Sequence, residues 1–245
     1  MSRAGRAFGI ARSLLVYHAI PLRQRRMQRL YRQFVRPGDL VFDIGAHVGN
    51  RVRAFAAIGC RVIALEPQPD FARLLRTLFG RSTRIEVVEA AVTGAAGAEW
   101  LSVSERNPTV STTAASWREA RAREPGFGGV QWNQRIRVRA VTTDALIAQY
   151  GVPAFIKIDV EGFEEEVLMG LTQPVAALSF EFTTIQRDVA RACVSRCAAL
   201  GMTLFSPAIG ESQAIGEWRG AEAIGQWLDD LPHEANSGDI YALRP

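Results

Sequence analysis

A short apolar strand, a glycine turn and a helix follow one another between residues 40 and 58. The alternation of strands and helices then continues along most of the chain. Further strands are predicted at 61–65, 85–88, 98–103, 135–141, 154–158, 176–180, 202–205 and 239–242. Strands that alternate with helices indicate a mostly parallel sheet covered on both faces. We therefore predict a doubly wound α/β domain, with an antiparallel strand contributed by the C-terminal pair.

Four of the predicted strands end at an acidic residue. These residues are Asp43, Glu66, Asp159 and Glu181. In an open parallel sheet, ligands bind outside the carboxyl ends of the strands. Four acids along that edge therefore predict a ligand site there.

The turn after the first strand reads D-I-G-A-H-V-G-N, from Asp43 to Asn50. Gly45 and Gly49 allow a tight turn and a close approach of the backbone to a ligand, and the following helix points free N–H groups towards it. The dinucleotide fingerprint has a glycine where this chain has His47. The turn therefore favours an adenosine ligand that carries an amino acid tail instead of phosphates. Asp43 would attract the ammonium group of that tail.

Glu66 follows the glycine turn by about 20 residues, the spacing at which an acid accepts hydrogen bonds from ribose hydroxyls. NAD and S-adenosylmethionine both make this demand. An NAD(P)-dependent oxidoreductase is thus one alternative, although the missing G-x-G-x-x-G argues against it.

A second motif, F-I-K-I-D-V-E-G-F-E, spans residues 155–164 and precedes a helix predicted over 161–171. It places Asp159 and Glu161 at the ligand edge. Glu161 has an alternative role as an acid favoured by the dipole at the helix start. Lys157 is the one lysine among 29 basic residues. One interpretation is that it holds a carboxylate in its charged form, but we expect it to point away from Asp159 because strand neighbours face opposite sides.

These motifs resemble the FkbM family of methyltransferases over about residues 40–182. The most specific element is I-K-I-D-V-E-G-F-E followed by Val167-Leu168-x-Gly170, and Ala90-Ala91-Val92 is also similar. The resemblance implies a Rossmann-like class I methyltransferase fold with S-adenosylmethionine as methyl donor. It also implies O-methylation of a hydroxyl on a sugar or another small natural product.

The predicted site has a cofactor part and a catalytic part. Glu89 stands where the family often has an asparagine near the adenine. Asp159 is the first candidate for the general base, His47 is the second, and Glu161 or Glu181 would orient the acceptor. An acid pair is one way to hold a divalent metal, but no His/Asp cluster supports it, so no metal is predicted. The residues predicted to bind cofactor are Asp43, Gly45, Ala46, Gly49, Asn50, Glu66, Pro67, Glu89, Ala91 and Asp159.

Residues 1–36 carry nine arginines and no acid, which leaves 20 basic and 25 acidic groups for residues 37–245. We predict a basic helical arm at 1–36 and a methyltransferase domain at 37–245. The arm is interpreted as a helical cap, with a membrane-surface helix as the alternative. Because the basic charge belongs to the arm, no nucleic-acid partner is expected. A non-catalytic protein that binds cofactor, or docks to membrane or RNA, is the alternative function.

The irregular stretch 104–134 is a predicted insertion that would cover the acceptor site or form a structured loop of no substrate role. Three cysteines without a C-x-x-C pair are typical of a reducing compartment. The apolar run at 14–20 is short and lacks the cleavage site of a signal peptide. These features predict a cytoplasmic protein, and they leave the oligomeric state open.

Overall fold

A computed structural model of the chain describes residues 22–104, 111–114 and 134–245, together with residues 117, 119 and 132. The described helices are α1 (Arg23–Tyr31), α2 (Asn50–Ile58), α3 (Pro69–Phe79), α4 (Thr143–Tyr150), α5 (Glu164–Met169), α6 (Arg187–Ala199) and α7 (Ala221–Asp230). The described strands are β1 (Leu40–Ile44), β2 (Arg61–Leu65), β3 (Ile85–Val88), β4 (Ala91–Val92), β5 (Gly97–Val103), β6 (Gln134–Val141), β7 (Phe155–Ile158), β8 (Ala177–Thr183), β9 (Leu204–Ile209) and β10 (Ser237–Leu243).

Seven of these strands form one sheet in the order β3-β2-β1-β7-β8-β10-β9. Within it, β10 runs antiparallel to both of its neighbours, and the remaining pairs are parallel. The predicted doubly wound sheet with an antiparallel C-terminal strand is confirmed. A separate three-stranded sheet has the order β4-β6-β5.

The central strands are buried on both faces because helices cover both sides of the sheet. All four residues of β7 are buried, as are the last four of β1. Apolar residues dominate such strands, and the core divides into two clusters on opposite faces. Lys157 of β7 and Asp43 of β1 are therefore charged groups in an apolar setting, paired in register across the strands.

The segment between β7 and α5 differs from the sequence prediction. The helix begins at Glu164 rather than at 161, because Glu161 (φ 56°) and Gly162 (φ 87°) have left-handed backbone conformations. The hydroxyl of Thr112 donates to the carbonyl of Glu161 at 2.7 Å. A Cβ on Gly162 would lie 2.2 Å from the ring of Trp117. Packing against this part of the inserted stretch therefore holds 159–163 as a loop.

Helix α1 packs its apolar side onto the domain. Met27, Leu30 and Tyr31 are at most 3% exposed, and the ring of Tyr31 lies 4.2 Å from that of Phe55 on α2. Residues 1–21 of the predicted arm lie outside the described residues, as does most of 104–134. In the part of the chain that the structure describes, no helix has the length and apolar character needed to cross a membrane.

Candidate active site

An open cavity lies at the carboxyl ends of β1, β2 and β7. This is the edge at which the strand-ending acids predict a ligand site. Eight predicted site residues line it, namely Gly45, His47, Asn50, Glu66, Pro67, Ala91, Asp159 and Glu161. Glu181 lies within β8 rather than at its end, and it too lines the cavity.

Gly45 lets the turn after β1 pack directly against the end of β7. Its φ is +86°, and a Cβ at this position would lie 1.8 Å from the backbone carbonyl oxygen of Asp159. The N–H groups of Gly45 and Ala46 both donate to the carbonyl of Leu65 at 3.0 Å. The turn is thereby fixed to two neighbouring strands.

Glu66 follows β2 and is 4% exposed. Its carboxylate accepts one hydrogen bond from the backbone N–H of His47 at 2.9 Å and another from that of Gln68 at 2.8 Å. Burial raises the pKa of Glu66 to about 7, although these two bonds act in the opposite direction. Each oxygen keeps a further lone pair, so the carboxylate can still accept hydrogen bonds from a ribose diol.

Asp43 lies beneath the turn and is 1% exposed. Neither of its carboxylate oxygens has a hydrogen-bond partner at ordinary distance and angle among the described residues. Burial raises its pKa to about 6, against the opposing charges of Arg51 and Lys157. A buried acid left in this state fits a ligand that brings a positive charge, as the ammonium group of S-adenosylmethionine does.

His47 occupies the centre of the turn with φ 47°. Its ring lies 4.3 Å from that of Phe71. Burial lowers the pKa of His47 to about 4 despite the nearby charge of Asp159, so the imidazole is neutral at physiological pH. It is therefore able to accept a proton, but it is a weak base.

Asp159 lies between two cations at the cavity edge. Its Oδ2 is 3.2 Å from a guanidinium nitrogen of Arg51 and 3.6 Å from Nζ of Lys157. The expectation that Lys157 points away from Asp159 is wrong, because residues two apart on an extended chain share a face. Burial raises the pKa of Asp159, but Lys157 and Arg51 outweigh it and hold the pKa below its ordinary value.

Glu161 and Glu181 complete a group of three carboxylates with Asp159. One oxygen from each lies within 4.8 Å of the others. Burial and the charges of Asp159 and Glu161 raise the pKa of Glu181 well above its ordinary value. Carboxylates are hard oxygen ligands, as Mg²⁺ and Ca²⁺ prefer. Because Arg51 and Lys157 already balance Asp159, we assign no metal to this group.

Four residues predicted to bind cofactor do not line the cavity, namely Asp43, Ala46, Gly49 and Glu89. Ala46 and Gly49 belong to the glycine turn but do not face the cavity. A Cβ on Gly49 would lie 2.5 Å from the ring of Phe79. The carboxylate of Glu89 instead pairs with Arg76 at 2.7 Å. Its role near the adenine stays a prediction.

The cavity also contains residues that sequence reasoning missed. Arg51 and Thr112 line it, as does Glu211, which pairs with Arg23 of α1 at 2.6 Å. Arg51 adjoins the glycine turn and was detectable as the first charged residue of its helix. The sequence contains no comparable indication for Glu211, because this residue lies far along the chain in a loop after β9.

The sheet order, the glycine turn and the acid after β2 together define a class I methyltransferase. The model of the methyltransferase FkbM domain matches residues 43–206. The chain belongs to the FkbM methyltransferase family, so the family prediction is confirmed. S-adenosylmethionine is its cofactor, and membership implies a small-molecule acceptor.

The chain is also similar to solved structures at low sequence identity. Fibrillarin from Aeropyrum pernix with natively bound S-adenosyl-L-methionine has a TM-score of 0.47 at 12% identity, over 86% of this chain and 68% of that one. A TehB-like SAM-dependent methyltransferase from Corynebacterium glutamicum has a TM-score of 0.46 at 9% identity, over 90% and 88%. No curated protein matches the sequence.

Proposed function

We propose that this enzyme transfers the methyl group of S-adenosylmethionine to a hydroxyl of a sugar or another small natural product. The observation that carries the proposal is the group of Asp159, Glu161 and Glu181 beside the cofactor half of the cavity. Carboxylate oxygens accept hydrogen bonds from hydroxyl groups, and several together suit an acceptor with more than one hydroxyl.

The chain's own residues supply binding and alignment. Glu66 would accept the ribose hydroxyls, and Asp43 would balance the ammonium of the methionine part. When bound, S-adenosylmethionine supplies an activated methyl group, so alignment of the acceptor provides much of the rate. The backbone of the glycine turn, fixed by Gly45, would set the position of the cofactor.

The protonation states of the acids divide their proposed roles. Asp159 is held ionised by Arg51 and Lys157, so it is a weak base and a good hydrogen-bond acceptor for orienting a hydroxyl. Burial and the neighbouring carboxylates raise the pKa of Glu181 well above its ordinary value, which makes its ionised form a stronger base than that of Asp159. We therefore add Glu181 to Asp159 and His47 as a candidate base, with Glu161 kept as an orienting residue.

A panel assay with radiolabelled S-adenosylmethionine tests the proposal. The acceptors are simple sugars, amino sugars, phenols, amines and carboxylic acids, and Glu66→Ala serves as the inactive control. Transfer to hydroxyl compounds, with alkali-stable ether products, is the expected result. Transfer to amines or carboxylic acids alone would overturn O-methylation.

The location and the basic arm remain proposals. We propose a cytoplasmic enzyme, supported by Cys60, Cys193 and Cys197, which are all buried thiols without disulfides. A docking role for residues 1–36 is tested by deleting residues 1–21 and measuring binding to anionic vesicles and to RNA. Loss of vesicle or RNA binding, with cofactor binding retained, would support the docking alternative.

A further inference from the structure

Lys157 is a buried cation that does not itself line the cavity. Its side chain is fully buried in the middle of β7, and it is the one lysine of the chain. Its Nζ donates to Oδ1 of Asp239 at 2.8 Å and to the carbonyl of Ile158 at 2.9 Å. The same nitrogen stands 3.6 Å from Oδ2 of Asp159.

The sheet register brings these groups together across an intervening strand. Ser179 of β8 pairs with Lys157 on one side and with Tyr241 of β10 on the other. Its small side chain leaves the long lysine side chain room to reach Asp239 on β10. Tyr241 donates a long hydrogen bond of 3.4 Å to the other oxygen of Asp239.

We propose that Lys157, anchored by Asp239, is a positioning residue that fixes the carboxylate of Asp159 at the cavity edge. Asp239 lies beyond the matched family region of 43–206, so the C-terminal strand completes the site. The anchor holds Nζ just outside hydrogen-bond distance of Asp159, which leaves that carboxylate available to the ligand. The inference rests on the proposed function only for its effect on turnover.

The environment of Asp159 includes charges from every element packed around it. The titratable and charged groups that act on it or respond to it are Asp43, His47, Arg51, Lys157, Glu161, Glu164 and Glu181. Arg51 and Lys157 provide the positive charge among them. Among the residues that the structure describes, removal of Lys157 would leave Arg51 as the one cation near these acids.

The single lysine allows the geometry to be tested directly. Full-length protein labelled with ¹³C at the lysine ε carbon gives one NMR signal. We expect Asp239→Asn and Asp159→Asn each to shift that signal. Asp229→Asn is the matched control, because it removes an exposed ion pair with Arg191 between α6 and α7. A signal unmoved by the first two variants would overturn the anchor.

The effect on Asp159 is measured in the variant Lys157→Met/Asp239→Asn. Removal of both partners avoids an unpaired buried charge, which keeps the variant foldable where Lys157→Met alone can fail. We expect the pKa of Asp159, followed by its ¹³Cγ signal, to be higher than in the wild type, because burial is then opposed by Arg51 without Lys157. An unchanged pKa in the folded double variant would contradict the contact between Lys157 and Asp159.

Turnover of the acceptor found in the panel assay tests the link to function. We expect Asp239→Asn to lower kcat about tenfold, as the loss of one hydrogen bond to a charged group does, with the affinity for S-adenosylhomocysteine unchanged. Asp229→Asn should keep the wild-type kcat. Wild-type kcat in both Asp239→Asn and the double variant would make the pair merely structural. If the wild type binds no S-adenosylhomocysteine, the proposed function fails, and the two NMR results alone decide the positioning role.

Discussion

Asp43 and Glu66 are buried acids whose raised pKa values couple folding to pH. Their pKa values of about 6 and about 7 exceed the ordinary values of the unfolded chain. A carboxyl of this kind stabilises the fold fully below its unfolded pKa, and that contribution is lost as pH rises through the folded pKa. Each unit of difference corresponds to about 1.4 kcal/mol.

We therefore expect the free energy of unfolding to differ less between pH 5 and pH 8 in Glu66→Gln than in the wild type. At pH 8 the buried, ionised Glu66 destabilises the ligand-free wild type. The glutamine of the variant has no charge at either pH, so it avoids this destabilisation. Denaturant unfolding of both proteins at the two pH values gives the comparison. An identical pH dependence in the two proteins would show that Glu66 ionises as in the unfolded chain.

Substitution of Asp159 is expected to lower turnover without removing cofactor binding. Because it orients the acceptor, we expect Asp159→Asn to lower kcat about 10²-fold or more while S-adenosylhomocysteine still binds. The acceptor identified by the panel assay provides the turnover measurement, and calorimetry provides the affinity. Full turnover with normal cofactor affinity would remove Asp159 from the catalytic residues.

At the scale of elements, the glycine turn joins β1 to β7 through backbone contact. Gly45→Ala would drive a methyl group against the carbonyl of Asp159, whereas Gly38 has a similar φ of +94° with nothing within 4 Å of its Cβ position. We expect Gly38→Ala to cost about 1–2 kcal/mol from backbone strain alone. Gly45→Ala should cost more and also abolish cofactor binding. Equal losses of stability in the two variants would contradict the close packing of turn and strand.

The sequence predicted the elements better than their contacts. Strand patterns are local, so β2 and β3 begin and end where predicted. The loop at 159–163 was missed because its shape depends on Thr112 and Trp117, which lie about 50 residues away. The ion pair of Glu89 with Arg76 could not be predicted for the same reason, since it depends on how α3 packs beside β3.

The contribution of helix α1 to the folded core can be measured. Leu30 is 3% exposed in the core, and its neighbour Arg29 is exposed. We expect Leu30→Ala to lower the free energy of unfolding by about 2–5 kcal/mol, with Arg29→Ala as the near-neutral control. Chemical denaturation provides both values. A loss below about 1 kcal/mol for Leu30→Ala would show that α1 is not part of the folded core.

At the scale of the whole molecule, the site draws on distant parts of the chain. The turn after β1 and the acid after β2 line the proposed cofactor half of the cavity, and residues at β7 and β8 line the proposed acceptor half. Two contacts from outside the matched family region reinforce it. Asp239 of β10 anchors Lys157, and Arg23 of α1 holds Glu211 at the cavity rim.

Calorimetry of the purified protein with S-adenosylmethionine, S-adenosylhomocysteine and NAD tests the central claim most directly. We expect micromolar binding of the first two, about 8 kcal/mol of binding free energy. Glu66→Ala should remove most of it, since that carboxylate is the predicted partner of the ribose. Binding of NAD alone, or of none of the three, would contradict the account of this cavity as a methyl-donor site.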